Sequence, residues 1–225
     1  MTVQVVTIDG PSGAGKGTVA HMLAAKLGWH LLDSGVLYRV TAYACEQASI
    51  GLDDEAAVAE MARHLAVHFE SDAKGEVQVF YQDVDVSRAI RTEEGGRGAS
   101  TVGAIPLVRE ALLQRQRDFR RPPGLVADGR DMGTVVFPEA TLKFFLTASA
   151  EERAQRRFQQ LKDKGESVNL ARLLGDIQER DERDRSRSVS PLLPADDAIV
   201  IDSTATPIDA VFAKVMADVN AQLST

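Results

Sequence analysis

The stretch Asp9-Gly10-Pro11-Ser12-Gly13-Ala14-Gly15-Lys16-Gly17-Thr18 limits what this chain can fold into more than any other. Before it, Val3-Gln4-Val5-Val6-Thr7-Ile8 is β-branched and apolar enough for a buried parallel strand. After it, residues 19–27 read as a helix that Gly28 would stop. A glycine-rich turn between strand and helix lets successive backbone N–H groups point into one concavity, where the helix N-terminus adds partial positive charge. Lys16 can then reach the β- and γ-phosphates of a nucleotide placed there. Glycines can also serve plain packing at a strand–helix corner, but six fixed positions recur by chance in roughly one chain per 10⁴ to 10⁵ of this length. Gly10, Pro11, Ser12, Gly13, Ala14, Gly15, Lys16, Gly17 and Thr18 are therefore expected to hold a nucleoside triphosphate.

Further strands are expected at Trp29-His30-Leu31-Leu32, Leu125-Val126-Ala127, Leu142-Lys143-Phe144-Phe145-Leu146 and Ala198-Ile199-Val200-Ile201. Helical patterns fill the gaps. They start at Pro106, after Ser149 with Glu152 completing a capping box, along Leu170, Leu173, Leu174 and Ile177, and after Pro207. The alternation predicts an α/β fold with a five-stranded parallel sheet flanked by helices. Ligands of such sheets lie beyond the carboxyl ends of the strands. Each strand here empties into polar or glycine-rich residues: Asp9-Gly10, Asp33-Ser34-Gly35, Asp128-Gly129-Arg130-Asp131, Thr147 and Asp202-Ser203.

Residues 34–104 break the pattern. One helix is expected from Ser34 and another over 54–66, followed by a hairpin of Val67-His68-Phe69 and Val77-Gln78-Val79-Phe80-Tyr81 around the turn-like Asp72-Ala73-Lys74-Gly75. Glu93-Glu94-Gly95-Gly96-Arg97-Gly98 reads as a flexible return strap. The expected organisation is thus a core of residues 1–33 and 105–225 carrying an insertion at 34–104.

A net charge of −7 argues against a general nucleic-acid binder, which needs a broad basic face. No run of 18 apolar residues or basic-then-apolar start is present, so neither a membrane span nor an export signal is expected. The one cysteine, Cys45, lies in an apolar run and reads as a small buried hydrophobe in a reducing, cytoplasmic compartment. Of the 26 basic residues, 19 are Arg and 7 are Lys. Arginine's planar fork suits phosphate oxygens, although biased codon usage gives the same excess.

A phosphate loop serves switches as well as kinases. A guanine-reading Asn-Lys-x-Asp is absent, since the only asparagines are Asn169 and Asn220, followed by Leu and Ala. A kinase needs a second anion pocket, because two unit charges 4 Å apart repel by roughly 4 kcal/mol at an effective dielectric of 20, and cationic clamps must offset that. Three segments offer clamps. Ser34 is a candidate helix N-cap with Arg39 about a turn later. In Asp128-Gly129-Arg130-Asp131-Met132-Gly133, Asp128 can hold Mg²⁺ waters and Arg130 can grip a phosphate. In Arg180-Asp181-Glu182-Arg183-Asp184-Arg185-Ser186-Arg187, a solvated face is the ordinary reading, yet Arg180 and Asp184 continue the leucine stripe, with Arg187 at its edge. The helix after Ser149 sets a polar stripe of Arg153, Arg157, Gln160 and Lys164 opposite Ala154, Phe158 and Leu161. It reads as a short lid, about 153–166, bringing Arg153 or Arg157 to the triphosphate.

With these segments in place the chain resembles the bacterial cytidylate kinases over nearly its whole length. The likeness is carried by the Gly10–Thr18 loop, Leu31-Leu32-Asp33-Ser34-Gly35, Ile90-Arg91-Thr92, Val108-Arg109-Glu110-Ala111-Leu112, Ala127-Asp128-Gly129-Arg130-Asp131-Met132-Gly133-Thr134-Val135-Val136-Phe137-Pro138 and Glu179-Arg180-Asp181. Gly17, standing where the commonest phosphate loops have Ser or Thr, is a mark of nucleoside monophosphate kinases. The resemblance implies transfer of the γ-phosphoryl group of ATP to CMP or dCMP, with Lys16, Asp128, Arg130 and Arg187 at the reaction. It implies Mg²⁺ held through phosphates and water, with Thr18 and Asp128 as candidate contacts. Ser100, Arg109 and Asp131 would meet the cytosine edge. Arg39, Arg130 and Arg187 would hold the acceptor phosphate, Arg180 and Asp184 would address the ribose, and Ser34 would belong to the same pocket. The expected partners are the two nucleotides alone, with the chain acting as a monomer. A rival is a phosphate-loop kinase of a small metabolite, of the shikimate or dephospho-coenzyme-A type, which would not need the insertion.

Overall fold

The computed structural model describes residues 3–71, 77–163, 165 and 167–223. The expected turn at Asp72-Ala73-Lys74-Gly75, and Lys164 of the polar stripe, lie outside the described residues. In chain order come β1 (Gln4–Asp9), α1 (Lys16–Leu27) and β2 (His30–Asp33). Next are α2 (Ser34–Gln47), α3 (Glu55–Arg63), β3 (Val67–Ser71), β4 (Val77–Tyr81), β5 (Val84–Asp85), α4 (Glu93–Val102) and α5 (Pro106–Arg117). Then follow β6 (Gly124–Gly129), β7 (Leu142–Thr147), α6 (Ala150–Asp163), α7 (Leu170–Arg185), β8 (Ile199–Asp202) and α8 (Ile208–Leu223). The residues group into two compact units, one of Met1–Asp33 and Arg117–Thr225, the other of Ser34–Gln116.

The first unit is built on the predicted five-stranded parallel sheet, in the order β2-β6-β1-β7-β8. Central β1 is covered on both faces, which is why its sequence is apolar without alternation. Val6, Ile8, Val126, Phe144 and Leu146 pack with Val19 and Leu23 of α1 and with Val211, Val215 and Val219 of α8. Parallel pairing aligns strand ends: Asp33 lies beside Asp128, Ile8 beside Asp128, and Asp9 beside Gly129. The charged residues that follow each apolar run therefore collect at one sheet edge.

In the second unit, α2 packs Val36, Val40 and Ala44 against Leu65, Val79, Tyr81, Val86 and Ile90. The expected hairpin gains a short third strand, β5, through a two-residue turn at Gln82-Asp83, both with positive φ. The expected flexible strap at Glu93–Gly98 is wrong: these residues open helix α4. Thr92 caps it, its hydroxyl accepting from the Gly95 N–H at 3.0 Å. The glycines are there for closeness. A Cβ at Gly98 would lie 2.9 Å from the Ala42 Cβ, and one at Gly95 would lie 2.5 Å from the Ile90 carbonyl oxygen. Close packing, of Gly98 onto α2 and of Gly95 onto the backbone at Ile90, offsets the roughly 1 kcal/mol by which each glycine disfavours a helix.

Gly98→Val should therefore overpack the α2–α4 contact and destabilise by about 2 kcal/mol. That lowers the thermal midpoint by about 4–8 °C for a chain of this size. An unchanged midpoint in a melting experiment would mean the close approach is not required.

Candidate active site

The phosphate loop runs from the end of β1 to the start of α1, and Lys16 is the first residue of that helix. Its ammonium donates to the Pro11 carbonyl at 2.8 Å and lies 4.0 Å from Asp128 Oδ1. Burial lowers the Lys16 pKa to about 8, with the Asp128 charge opposing the shift and Arg130 and Arg180 adding to it. Burial raises Asp128 to about 6, and the Lys16 charge partly offsets that. Asp128 comes from β6, the strand beside β1. A Cβ on Gly17 would sit 3.3 Å from Asp128 Oδ2, so the missing side chain after Lys16 makes room for this carboxylate.

Beyond the end of β6, Arg130 donates from Nε to Asp184 Oδ2 at 2.7 Å. Arg187 Nη2 donates to the other carboxylate oxygen, and Arg180 Nε lies 4.0 Å away. Burial alone would raise the Asp184 pKa, but Arg130, Arg187 and Arg180 together hold the carboxyl below its usual range. One carboxylate thus draws three guanidinium groups together, and Asp128 and Asp33 also act electrostatically on Arg130. Helix α7 presents this face by the expected 100° stepping, with Leu173 and Asp184 buried on it. The stripe is shorter than expected, because Leu170 at its start is exposed.

Ser34, Arg39, Ser100 and Arg109 belong to the second unit. Ser34 is buried as the first residue of α2, and Ser100 is buried in α4. Arg39 donates from Nη1 to the carbonyls of Ile90 at 2.8 Å and Thr92 at 3.3 Å. The Arg109 guanidinium stands 5.4 Å over the Tyr38 ring and donates to the Gly103 carbonyl at 3.0 Å.

The polar stripe expected on α6 fails at Arg153, while Arg157 is half-buried and Gln160 exposed. Arg153 is only 2% exposed and is buried beside Ala154. Its guanidinium forks onto Asp181 of α7, from Nη1 to Oδ1 at 3.1 Å and from Nη2 to Oδ2 at 2.5 Å. A buried carboxylate far along the sequence supplies the partner that periodicity cannot reveal. Arg157, one turn on, donates to Gln160 Oε1 at 3.3 Å. At the start of α6, Ser149 Oγ accepts from the Glu152 N–H at 3.1 Å, as a cap requires. The Glu152 carboxylate accepts instead from Arg156 Nε at 2.8 Å, so the capping box is only half formed.

Sequence reasoning also passed over Asp9. Its two oxygens accept from the N–H groups of Met132 and Gly133, both at 2.8 Å. Those amides open a single wide π-turn, Met132–Val136, directly after Arg130 and Asp131. Asp9 thereby fixes the backbone leaving β6. Burial drives its pKa up to about 7, with the two N–H bonds opposing and the nearby Asp131 and Asp128 adding. The available signal was a carboxylate ending a fully buried strand.

The chain matches the cytidylate kinase family model over residues 6–221. It is 61% identical to the cytidylate kinase of Aeromonas hydrophila over 97% of this chain and 95% of that protein. Its identity to the cytidylate kinase of Colwellia psychrerythraea is 59%, covering 98% of this chain and 97% of that one. Among solved structures, the shikimate kinase of Bacteroides thetaiotaomicron aligns over 96% of this chain and 98% of that one, with 13% identity and a TM-score of 0.45.

Asp9→Asn leaves one of the two turn amides facing an amide nitrogen instead of an oxygen. A buried donor without its acceptor costs about 1–3 kcal/mol, but above about pH 7 the neutral variant also escapes the cost of the buried charge. Wild-type stability should therefore fall as pH rises from about 4 to about 7, and Asp9→Asn should lose that slope in melting experiments; an unchanged slope would assign it to another group.

Proposed function

The chain belongs to the cytidylate kinase family, phosphotransferases that move the γ-phosphoryl group of ATP to CMP or dCMP, and from that premise we propose how its residues divide the reaction. The observation that carries the reading is one shared strand-end edge. Lys16 of the phosphate loop lies within electrostatic reach of Arg130 and Arg180, two members of the arginine cluster on Asp184.

The loop amides from Gly10 to Thr18 and the Lys16 ammonium hold the β- and γ-phosphates of ATP, with Arg157 reaching them from α6. Arg130 and Arg187, with Arg39, hold the acceptor phosphate and offset its repulsion from the γ-phosphate. An acceptor-phosphate oxygen forms the new bond to Pγ while the bond from Pγ to the bridging oxygen of ATP breaks, its electrons leaving on ADP. The attacking oxygen is already anionic, so no side chain need remove a proton. Arg180 and Asp184 address the ribose, and Ser34 completes the acceptor side. Asp131 accepts from the cytosine amino group, which uracil lacks, while Arg109 donates to the ring carbonyl and N3 and Ser100 supports that edge.

Mg²⁺ is the proposed cofactor. Hard carboxylate and hydroxyl oxygens suit it, and the bare Cα of Gly17 leaves Asp128 Oδ2 uncovered on the loop side, with Thr18 next in the chain. Asp128 and Thr18 would hold it through water, and when bound it neutralises charge on the β- and γ-oxygens. No described helix is long and apolar enough to cross a membrane. A monomeric enzyme in the cytoplasm remains the proposal, and the buried free thiol of Cys45 suits a reducing compartment.

A panel of nucleoside monophosphates, assayed for ATP-dependent ADP release, tests the assignment. CMP and dCMP should be the best acceptors and UMP poorer by roughly ten- to a hundredfold. Lys16→Ala should nearly abolish transfer. Asp131→Ala should narrow the CMP–UMP gap, and full discrimination in that variant would remove Asp131 from base recognition. The profile of kcat/KM for ATP against pH should be a bell. It should fall below about pH 6 as Asp128 is protonated and above about pH 8 as Lys16 loses its charge. Lys16→Arg stays cationic and should lose the alkaline limb; an identical limb would assign it to another group.

A further inference from the structure

Arg153 makes four hydrogen bonds from a position almost closed to solvent, and the division of labour above gives it no task. Besides its fork onto Asp181, it donates from Nε to the Ala148 carbonyl at 3.0 Å and from Nη1 to the Ser12 carbonyl at 3.1 Å. One guanidinium thus ties together the end of β7, the phosphate loop and helix α7. A Cβ at Gly13 would lie 3.2 Å from the Arg153 Cβ, so the loop is laid directly against this side chain.

The contact with Ser12 has a geometric consequence. In a trans peptide the carbonyl of one residue and the N–H of the next point in opposite directions. Drawing the Ser12 carbonyl toward Arg153 turns the Gly13 N–H the other way. A second outward carbonyl, that of Ala14, accepts from Ser203 Oγ at 3.1 Å and fixes the Gly15 N–H in the same manner. Asp181, in turn, follows Arg180 and stands three residues before Asp184, so it anchors the helix that carries Arg180 and the carboxylate of the arginine cluster.

We propose that Arg153 is a positioning residue. Held by Asp181, it aims the amides of the phosphate loop and ties that loop to the arginine-bearing helix, without itself touching ATP. The proposal rests on the assignment of the loop to ATP. It differs from the expectation that Arg153 swings in from a lid to grip the triphosphate.

Three variants test it: Arg153→Lys, which keeps the charge and loses the fork; Asp181→Asn, which keeps the shape and loses the charge; and the double variant. Steady-state constants are measured well below each melting midpoint, alongside ADP binding by calorimetry. Each single variant should weaken ATP by roughly ten- to a hundredfold, as misplaced groups do, with KM for CMP changing by less than about threefold. The double variant should be no worse than the worse single one, since both break the same link. If Arg153→Lys alone weakens ATP and Asp181→Asn does not, Arg153 is a direct ligand and the proposal is overturned. Lower midpoints with wild-type KM, kcat and ADP affinity overturn it too, leaving a purely structural pair. Calorimetry needs no turnover, so the result stands even if the acceptor assignment fails.

Discussion

Buried charge needs a partner, and this fold meets that need in two ways. Arg153 and Asp181 meet one to one, forked and almost closed to water. Nothing is left over to attract an anion. Asp184 instead gathers Arg130, Arg187 and Arg180 around one carboxylate, which they hold ionised below its usual range. Removing one partner from a buried pair is costly, because it strands the other charge.

The same reasoning covers the titration of the loop. Lys16 is buried, and although a carboxylate lies 4.0 Å away, burial and two guanidinium groups leave its proton held less firmly than an exposed lysine's. Asp128 is buried with Asp33 beside it through the parallel register, which raises its pKa toward neutrality despite Lys16. Burial is the main cause of both effects, and parallel pairing adds the Asp33 charge beside Asp128. Such pairing lines up residues that end their strands at the same height, and here those residues are aspartates. Asp9, one strand over, is the carboxylate that answers to backbone amides, and it stabilises the turn instead of the ligand site.

The strands, the phosphate loop and most helix starts were legible because each is a local pattern: an apolar run, a glycine turn, a cap. The base-reading roles came only from the family resemblance. What could not be read were features that depend on a distant partner. Gly95 and Gly98 suggest flexibility when considered alone and close packing once Ile90 and Ala42 stand against them. Arg153 lay on a polar stripe until Asp181, from the next helix, supplied a countercharge. Asp181 itself sits in an unbroken run of charges. Stepping by 100° from the leucine stripe does turn Asp181 inward with Asp184, but it does not name the residue on another helix that meets it.

Position 17 shows how such a partner also fixes the sequence. The commonest phosphate loops place Ser or Thr directly after the lysine. In this chain the space such a side chain would enter is bounded by Asp128 Oδ2, 3.3 Å from where a Cβ would be. A carboxylate from the neighbouring strand thus occupies the side on which the commoner loop carries its hydroxyl. It brings a countercharge for Lys16 and oxygen atoms of the kind a hard cation prefers. The glycine, opening α1, and the aspartate, near the end of β6, are then one feature. A side chain at 17 would crowd the carboxylate that gives Lys16 its partner.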